Sequence, residues 1–141
     1  MKILIFGLPG SGKTTLAKPF AELVGGVHIN ADEVRKRYDD WDFTPEGRIR
    51  QANRMKHLSD GVVMAGKIAV TDFVCPTEEA RLAFDPDFTV WMDTIKEGRF
   101  EDTNKMFQKP PTCDYHVSEW FNDTHAQLVE VVKKYMERNN V

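Results

Sequence analysis

Near its start the chain reads Gly7-Leu8-Pro9-Gly10-Ser11-Gly12-Lys13-Thr14. No other stretch limits the fold as much. It follows a short apolar run, Ile3-Leu4-Ile5-Phe6, which reads as a buried strand. It precedes a helical pattern marked by Leu16, Ala17, Phe20, Ala21 and Val24. Strand, glycine-rich turn and helix in that order are the setting of a phosphate-binding loop, or P-loop. The glycines let the backbone curl so that successive N–H groups point inward at an anion. The helix N-terminus adds its partial positive charge. In that setting Gly7, Pro9, Gly10, Ser11, Gly12, Lys13, Thr14 and Thr15 hold the phosphates of a nucleoside triphosphate such as ATP. Lys13 reaches β- and γ-phosphate oxygens, and the Thr14 hydroxyl ligates Mg²⁺.

The rest of the chain must complete one domain around that loop. Its 141 residues suffice for a single core. A net charge of −3 argues against non-specific binding of extended nucleic acid. Cys75 and Cys113 form no CxxC pair and have no metal spacing, which suits a reducing cytoplasm, or a host's cytoplasm for a viral chain. The apolar start runs directly into the P-loop and does not read as a signal peptide. No stretch approaches the ~20 apolar residues of a membrane span.

Along the chain, helix 13–24 should stop at Gly25-Gly26, with Pro19 inside it expected to kink it or cost a hydrogen bond. Residues 27–29 form a strand, and Asn30 caps a helix to about Tyr38. Thr44 caps the next helix, with Pro45 at its first position. That helix runs to about Ala65, ends at Gly66, and could be divided at Gly61. Residues 67–73 form a strand, 77–84 a short helix and 88–92 a strand. The polar stretch after Asp93 reads as a lid at about 95–112 or as a disordered segment. A last strand at 115–117 precedes a helix from Ser118 to about Asn139, with Phe121, His125, Leu128, Val132 and Tyr135 on one face. Strands alternating with helices predict a three-layer α/β/α fold with a mostly parallel sheet of about five strands.

Right-handed crossovers bring ligands to the carboxyl ends of such strands. The candidates there are Asn30 and Asp32, then Asp72 and Cys75, then Asp93. Asp32 suits acceptance of a proton from a substrate hydroxyl, or holding of a metal-bound water. Its plainer role is that of a helix-start carboxylate. Asp72 ends an apolar strand, where a carboxylate supports Mg²⁺, or it is a turn residue. Cys75 reads as a small buried residue rather than a nucleophile.

Residues 35–56 carry seven basic and four acidic side chains, a local +3 within the chain's −3. That separation predicts a small anionic substrate, gripped by arginine forks. Lys36, Arg37, Arg50 and Lys56 also read as an ordinary solvated helix face. Phe43 and Phe73 are candidates to sandwich a flat base, against the core role most aromatics take. Lys96, Arg99, Lys105 and Lys109 lie in the lid stretch. One of them, Arg99 in the present reading, would neutralise the transferring phosphoryl group. His28, His57, His116 and His125 lack metal spacing and read as structural or surface residues.

In these stretches the sequence resembles the adenylylsulfate kinases, which phosphorylate the ribose 3′-hydroxyl of adenosine 5′-phosphosulfate with MgATP. Gly7 to Thr14 is similar to their P-loop. Ile29-Asn30-Ala31-Asp32-Glu33-Val34-Arg35 is similar to their Leu-Asp-Gly-Asp-Asn-Val-Arg. Phe43-Thr44-Pro45-Glu46-Gly47-Arg48-Ile49 resembles Phe-Ser-x-Glu-Asp-Arg-x, Phe73-Val74-Cys75-Pro76 resembles Phe-Ile-Ser-Pro, and Met92-Asp93-Thr94 resembles Val-Asp-Thr. The resemblance spans residues 1 to about 94. It implies that Asp32 lies near the acceptor hydroxyl and the metal. It implies that Arg35 and Arg48 bind the phosphosulfate, and that Phe43 stacks on adenine, with Gln51 and Phe73 beside them. A homodimer is compatible with it, although no interface is read from the residues.

The departures fall on the acceptor side. Asn30, Glu33, Gly47, Gln51, Asp72 and Cys75 replace residues of the family pattern. Lys96-Glu97-Gly98-Arg99-Phe100-Glu101-Asp102 stands in place of its lid signature, and the chain is shorter than usual. The expected function is an ATP-dependent small-molecule kinase acting on a hydroxyl of an anionic acceptor, adenosine 5′-phosphosulfate or a related nucleotide. The alternatives are a catalytically altered nucleotide-binding module and a nucleic-acid end kinase. Asn104-Lys105-Met106-Phe107 lacks the final Asp of a guanine-reading motif, which speaks against a GTPase.

Overall fold

The computed structural model describes residues 1–140. Strand β1 (Lys2–Gly7) is buried at every position and sits in the middle of a five-stranded sheet. Around it lie β2 (Val27–Asn30), β3 (Ala69–Asp72), β4 (Phe88–Met92) and β5 (Tyr115–Val117), in the order β2-β3-β1-β4-β5. Every pairing is parallel. Burial on both faces explains why β1 is a continuous apolar run rather than an alternating one.

Alternation along β1 divides the core. Ile3 and Ile5 join Leu16, Phe20, Phe88, Val90, Leu128 and Val132, under helices α1 (Lys13–Val24) and, at the C-terminal end, Thr124–Arg138. Leu4 and Phe6 join Met55, Phe73 and Phe84 on the other face. That face is covered by α2 (Ala31–Tyr38), α3 (Pro45–Met64) and α4 (Glu78–Phe84). A short α5 (Glu101–Met106) follows β4, and Thr124–Arg138 is α6.

Three of the six helices start where a capping side chain puts them. Asn30, Thr44 and Thr77 each accept a hydrogen bond from a backbone N–H of the first turn they cap. Helix α1 continues through Pro19, and α3 continues through Gly61, which faces open space. Strand β3 is shorter than expected, because Lys67 and Ile68 lie outside the ladder.

The start of α6 is a correction: residues 118–123 are an irregular loop, not the first turns of a helix. The Thr124 hydroxyl accepts from Phe121 N–H and donates to Phe121 C=O, both at 2.9 Å, which closes a turn just ahead of the helix. Phe121 is therefore exposed and off the buried face, which Leu128, Val129 and Val132 form.

The stretch at 95–112 is ordered and tied down. Arg48 Nη2 donates to Thr103 Oγ1 at 2.8 Å. Arg81 Nη2 donates to Gln108 C=O at 2.6 Å. Gln108 N–H donates to Pro76 C=O at 2.7 Å.

Candidate active site

The carboxyl ends of β1, β2 and β3 meet at one place. The P-loop leaves β1 with left-handed backbone at Gly10 (φ 88°) and Gly12 (φ 97°), and only glycine adopts these without strain. A side chain at Gly12 would also strike the Trp120 indole, whose Cζ2 lies 2.6 Å from the position a Cβ would take. The loop is further fixed by Ser11 N–H donating to Leu8 C=O at 3.1 Å, and by Thr94 Oγ1 donating to Ser11 C=O at 2.7 Å. Ser11 is buried, and its hydroxyl has no partner among the described residues.

Lys13 curls back so that Nζ donates to Leu8 C=O at 3.0 Å. Burial pushes its pKa down to about 8, against the opposing pull of Asp72 and Asp32. Beside it the Thr14 hydroxyl donates to Asp72 Oδ1 at 3.1 Å. Asn30 Nδ2 reaches Thr14 Oγ1 at 3.2 Å and the two Asp72 oxygens at 3.3 and 3.4 Å. His28 Nε2 contacts the other Asp72 oxygen, Oδ2.

Asp72 and Thr14, both expected near Mg²⁺, are thus brought together. They are hard oxygen donors of the kind Mg²⁺ takes, and Mg²⁺ usually draws its remaining ligands from phosphates and water. No group of three or more His, Cys, Asp or Glu side chains placed to hold a metal occurs among the described residues.

The second half of the site is a cleft of about 340 Å³, counting its open mouth, lined by Asp32, Arg35, Phe43, Arg48, Gln51, Phe73, Val74, Cys75 and Pro76. It collects every residue expected to hold the acceptor. Arg35 comes from α2 and Arg48 from the first turns of α3, and both are buried. Arg35 Nη1 donates to the carbonyls of Asp40 and Asp42 at 2.9 and 3.1 Å. Arg48 Nε donates to Phe43 C=O at 3.3 Å. Their guanidinium carbons lie 4.4 and 5.0 Å from the centre of the Phe43 ring. Burial lowers both pKa values, and for Arg48 the neighbouring charge of Arg35 lowers it further. Among the described residues neither arginine forms a salt bridge, although the charges of Asp40 and Asp42 lie close enough to act on Arg35, whereas Arg50 and Arg54 are paired with Asp40.

Other expected residues serve the framework or stand apart. Gln51 lines the cleft and is braced on both sides: Nε2 donates to Ala31 C=O at 3.2 Å, and Oε1 accepts from Arg54 Nη1 at 2.8 Å. Arg99 is exposed and lies over Phe100, 5.2 Å from its ring centre, outside the cleft lining. Lys96 and Lys105 lie near Asp93 and Glu101. Thr15 is exposed. Cys75 is buried with φ 44°, and burial pushes its thiol well up, which fits the non-nucleophilic reading.

Three residues near the site were not singled out for it in the sequence: His28, Thr103 and Trp120. Only His28 left a trace, because it stands two residues before Asn30 on a strand and so shares its side.

The sequence matches the AAA domain family over residues 3–101. A cytidylate kinase from Methanocella arvoryzae is 30% identical over 96% of this chain and 76% of that protein. An adenylyl-sulfate kinase from Oceanobacillus iheyensis is 33% identical over 53% of this chain, and the match spans 41% of that enzyme. In fold, the chain is similar to an APS kinase from Mycobacterium tuberculosis solved with AMPPNP and APS. The TM-score is 0.77 at 15% identity, covering 94% of this chain and 96% of that one. A shikimate kinase from Aquifex aeolicus gives a TM-score of 0.64 at 19% identity, covering 99% and 98%. The chain belongs to the AAA domain family, as a P-loop kinase.

Proposed function

We propose that the chain transfers the γ-phosphoryl group of ATP to a hydroxyl of a small anionic acceptor, with adenosine 5′-phosphosulfate or a related nucleotide the first choice. The observation that carries this reading is the buried pair Arg35 and Arg48 on Phe43, two cations that form no salt bridge among the described residues. Buried charge is costly unless paired. An acceptor with phosphate or sulfate oxygens would supply the missing anion, held by the forks.

In this reading the P-loop amides and Lys13 hold the donor phosphates, with Lys13 leaving Leu8 C=O to do so. Mg²⁺, when bound, would neutralise phosphate charge beside Thr14 and Asp72. Asp32 is exposed at the first turn of α2 and lines the cleft, so it can accept a hydrogen bond from the acceptor hydroxyl and orient it. Arg99 would approach the transferring group only with movement of the 95–112 stretch.

A second reading has its own support. The cytidylate kinase match runs along nearly the whole chain, and a nucleoside monophosphate also carries the anion the arginines need. ADP release across a panel of adenosine 5′-phosphosulfate, nucleoside monophosphates, phosphorylated and neutral sugars, and a 5′-hydroxyl oligonucleotide separates these, with Lys13→Ala as blank. Turnover with a hydroxylated anion supports the proposal. Turnover with cytidine monophosphate alone moves the assignment to the second reading. Tight ATP binding without turnover on any acceptor contradicts both.

A further inference from the structure

His28 was not expected to touch the site, yet it grips the carboxylate at the metal end. Strands β2 and β3 pair in the register Asn30↔Asp72. Side chains two apart on a strand share a side, so His28 and Asn30 both reach Asp72. The Asp72 carboxylate is 2% exposed. Its Oδ1 accepts from the Thr14 hydroxyl, and its Oδ2 meets His28 Nε2. A carboxylate only accepts, so Nε2 carries the hydrogen.

The contacts of the two strand residues differ. The Asn30 amide spans the two carboxylate oxygens almost evenly, at 3.3 and 3.4 Å, and does not select between them. The terminal torsion of an aspartate is broad. His28 is the residue that marks one oxygen and thereby turns the other toward Thr14.

We propose that His28 is a positioning residue for the metal end of the donor site. It holds Asp72 so that Oδ1 faces the Thr14 hydroxyl and the coordination shell that Mg²⁺ would share with the nucleotide. This rests on the reading of Thr14 and Asp72 as the metal end. Mg²⁺ demands near-ideal octahedral geometry, so a carboxylate free to rotate binds it less well. Partners that orient ligands in this way typically contribute about 10–100-fold in metal affinity.

The test is calorimetric titration of AMPPNP with and without Mg²⁺, on wild type, His28→Ala, His28→Phe and His28→Gln, each checked for fold by circular dichroism. The readout is the factor by which Mg²⁺ tightens nucleotide binding. His28→Ala and His28→Phe should reduce that factor about 10-fold or more, with metal-free affinity unchanged. His28→Gln, which keeps an N–H, should retain most of it. An unchanged factor in either disrupting variant overturns the inference. So does an equal loss with and without Mg²⁺, which marks a merely structural role. A wild type with no Mg²⁺ effect overturns the reading of the metal end itself, and His28's role with it. Independently of any variant, ¹⁵N spectra of histidine-labelled wild type should show Nε2 of His28 protonated, and a bare Nε2 contradicts the proposal.

Discussion

Lys13 and the two buried arginines carry the residue-scale predictions. Burial lowers the Lys13 pKa to about 8, so the side chain is charged below that value and loses its proton above it. A phosphate chain favours the charged form. ATP affinity should therefore be highest below pH 8 and fall as pH rises through it, and calorimetry across pH 6.5–9.5 checks this. Arg48→Lys keeps the charge but loses the fork. Its acceptor KM should rise by about 10-fold or more, as expected when a buried charge-assisted contact is weakened, with KM for ATP nearly unchanged. Equal change in both constants would place Arg48 in the fold rather than in acceptor binding. At this scale the P-loop was legible because its chemistry is local, with glycines, lysine and threonine acting within one turn. His28 was not, because its role exists only through the register of two strands. Gln51 was read as a ligand and does line the cleft, but its amide also bonds Ala31 and Arg54, and spacing alone does not reveal that.

Two connecting elements shape the site. The loop between α2 and α3 is held by Arg50 and Arg54 on Asp40, and by Asp42 accepting from Thr44 N–H at 3.0 Å. Hydrogen bonds from Thr44, then Arg50, hold the Asp42 carboxyl down at about 2. Arg50 and Arg54 hold Asp40 well below the usual carboxylate range. A carboxylate with a depressed pKa contributes its full stabilisation above its unfolded value of about 4, and loses it as pH falls through the folded one. Amide exchange at residues 39–44 should therefore accelerate between pH 4 and 2. Asp40→Ala should show the same loosening at neutral pH, with acceptor KM raised and ATP affinity kept. The other element is the 118–123 loop. Gly12→Ala would meet Trp120 and a left-handed backbone at once, costing about 1–3 kcal/mol for the backbone alone. Nucleotide binding should be lost, and adding Trp120→Ala should relieve the clash without restoring wild-type stability, as thermal unfolding would show. The starts of α2, α3 and α4 were legible because a capping side chain acts within its own turn. The start of α6 was not: the Thr124 hydroxyl closes a local turn on Phe121 where helical periodicity carries the helix back to Ser118, and the approach of Trp120 to Gly12 joins distant parts of the chain.

Across the whole molecule, the alternation of strands and helices was enough to fix a parallel sheet with covered faces, since apolar strands with helical crossovers have few other arrangements. The same topology brings the P-loop, Asp72 and the arginine cleft to one end of the sheet, where the proposed function needs a donor half and an acceptor half. Which molecule fills the cleft is not written in local motifs, because Phe43, Arg35 and Arg48 come from separate segments and, in the proposed role, would select an anion only by class. The most direct measurement is ³¹P spectroscopy of a reaction of ATP with adenosine 5′-phosphosulfate, beside a parallel reaction with cytidine monophosphate. The account predicts a new phosphomonoester on a ribose hydroxyl, with ADP formed in equal amount, and neither in Lys13→Ala. A nucleoside diphosphate formed from cytidine monophosphate, with no monoester on any hydroxylated anion, would contradict it.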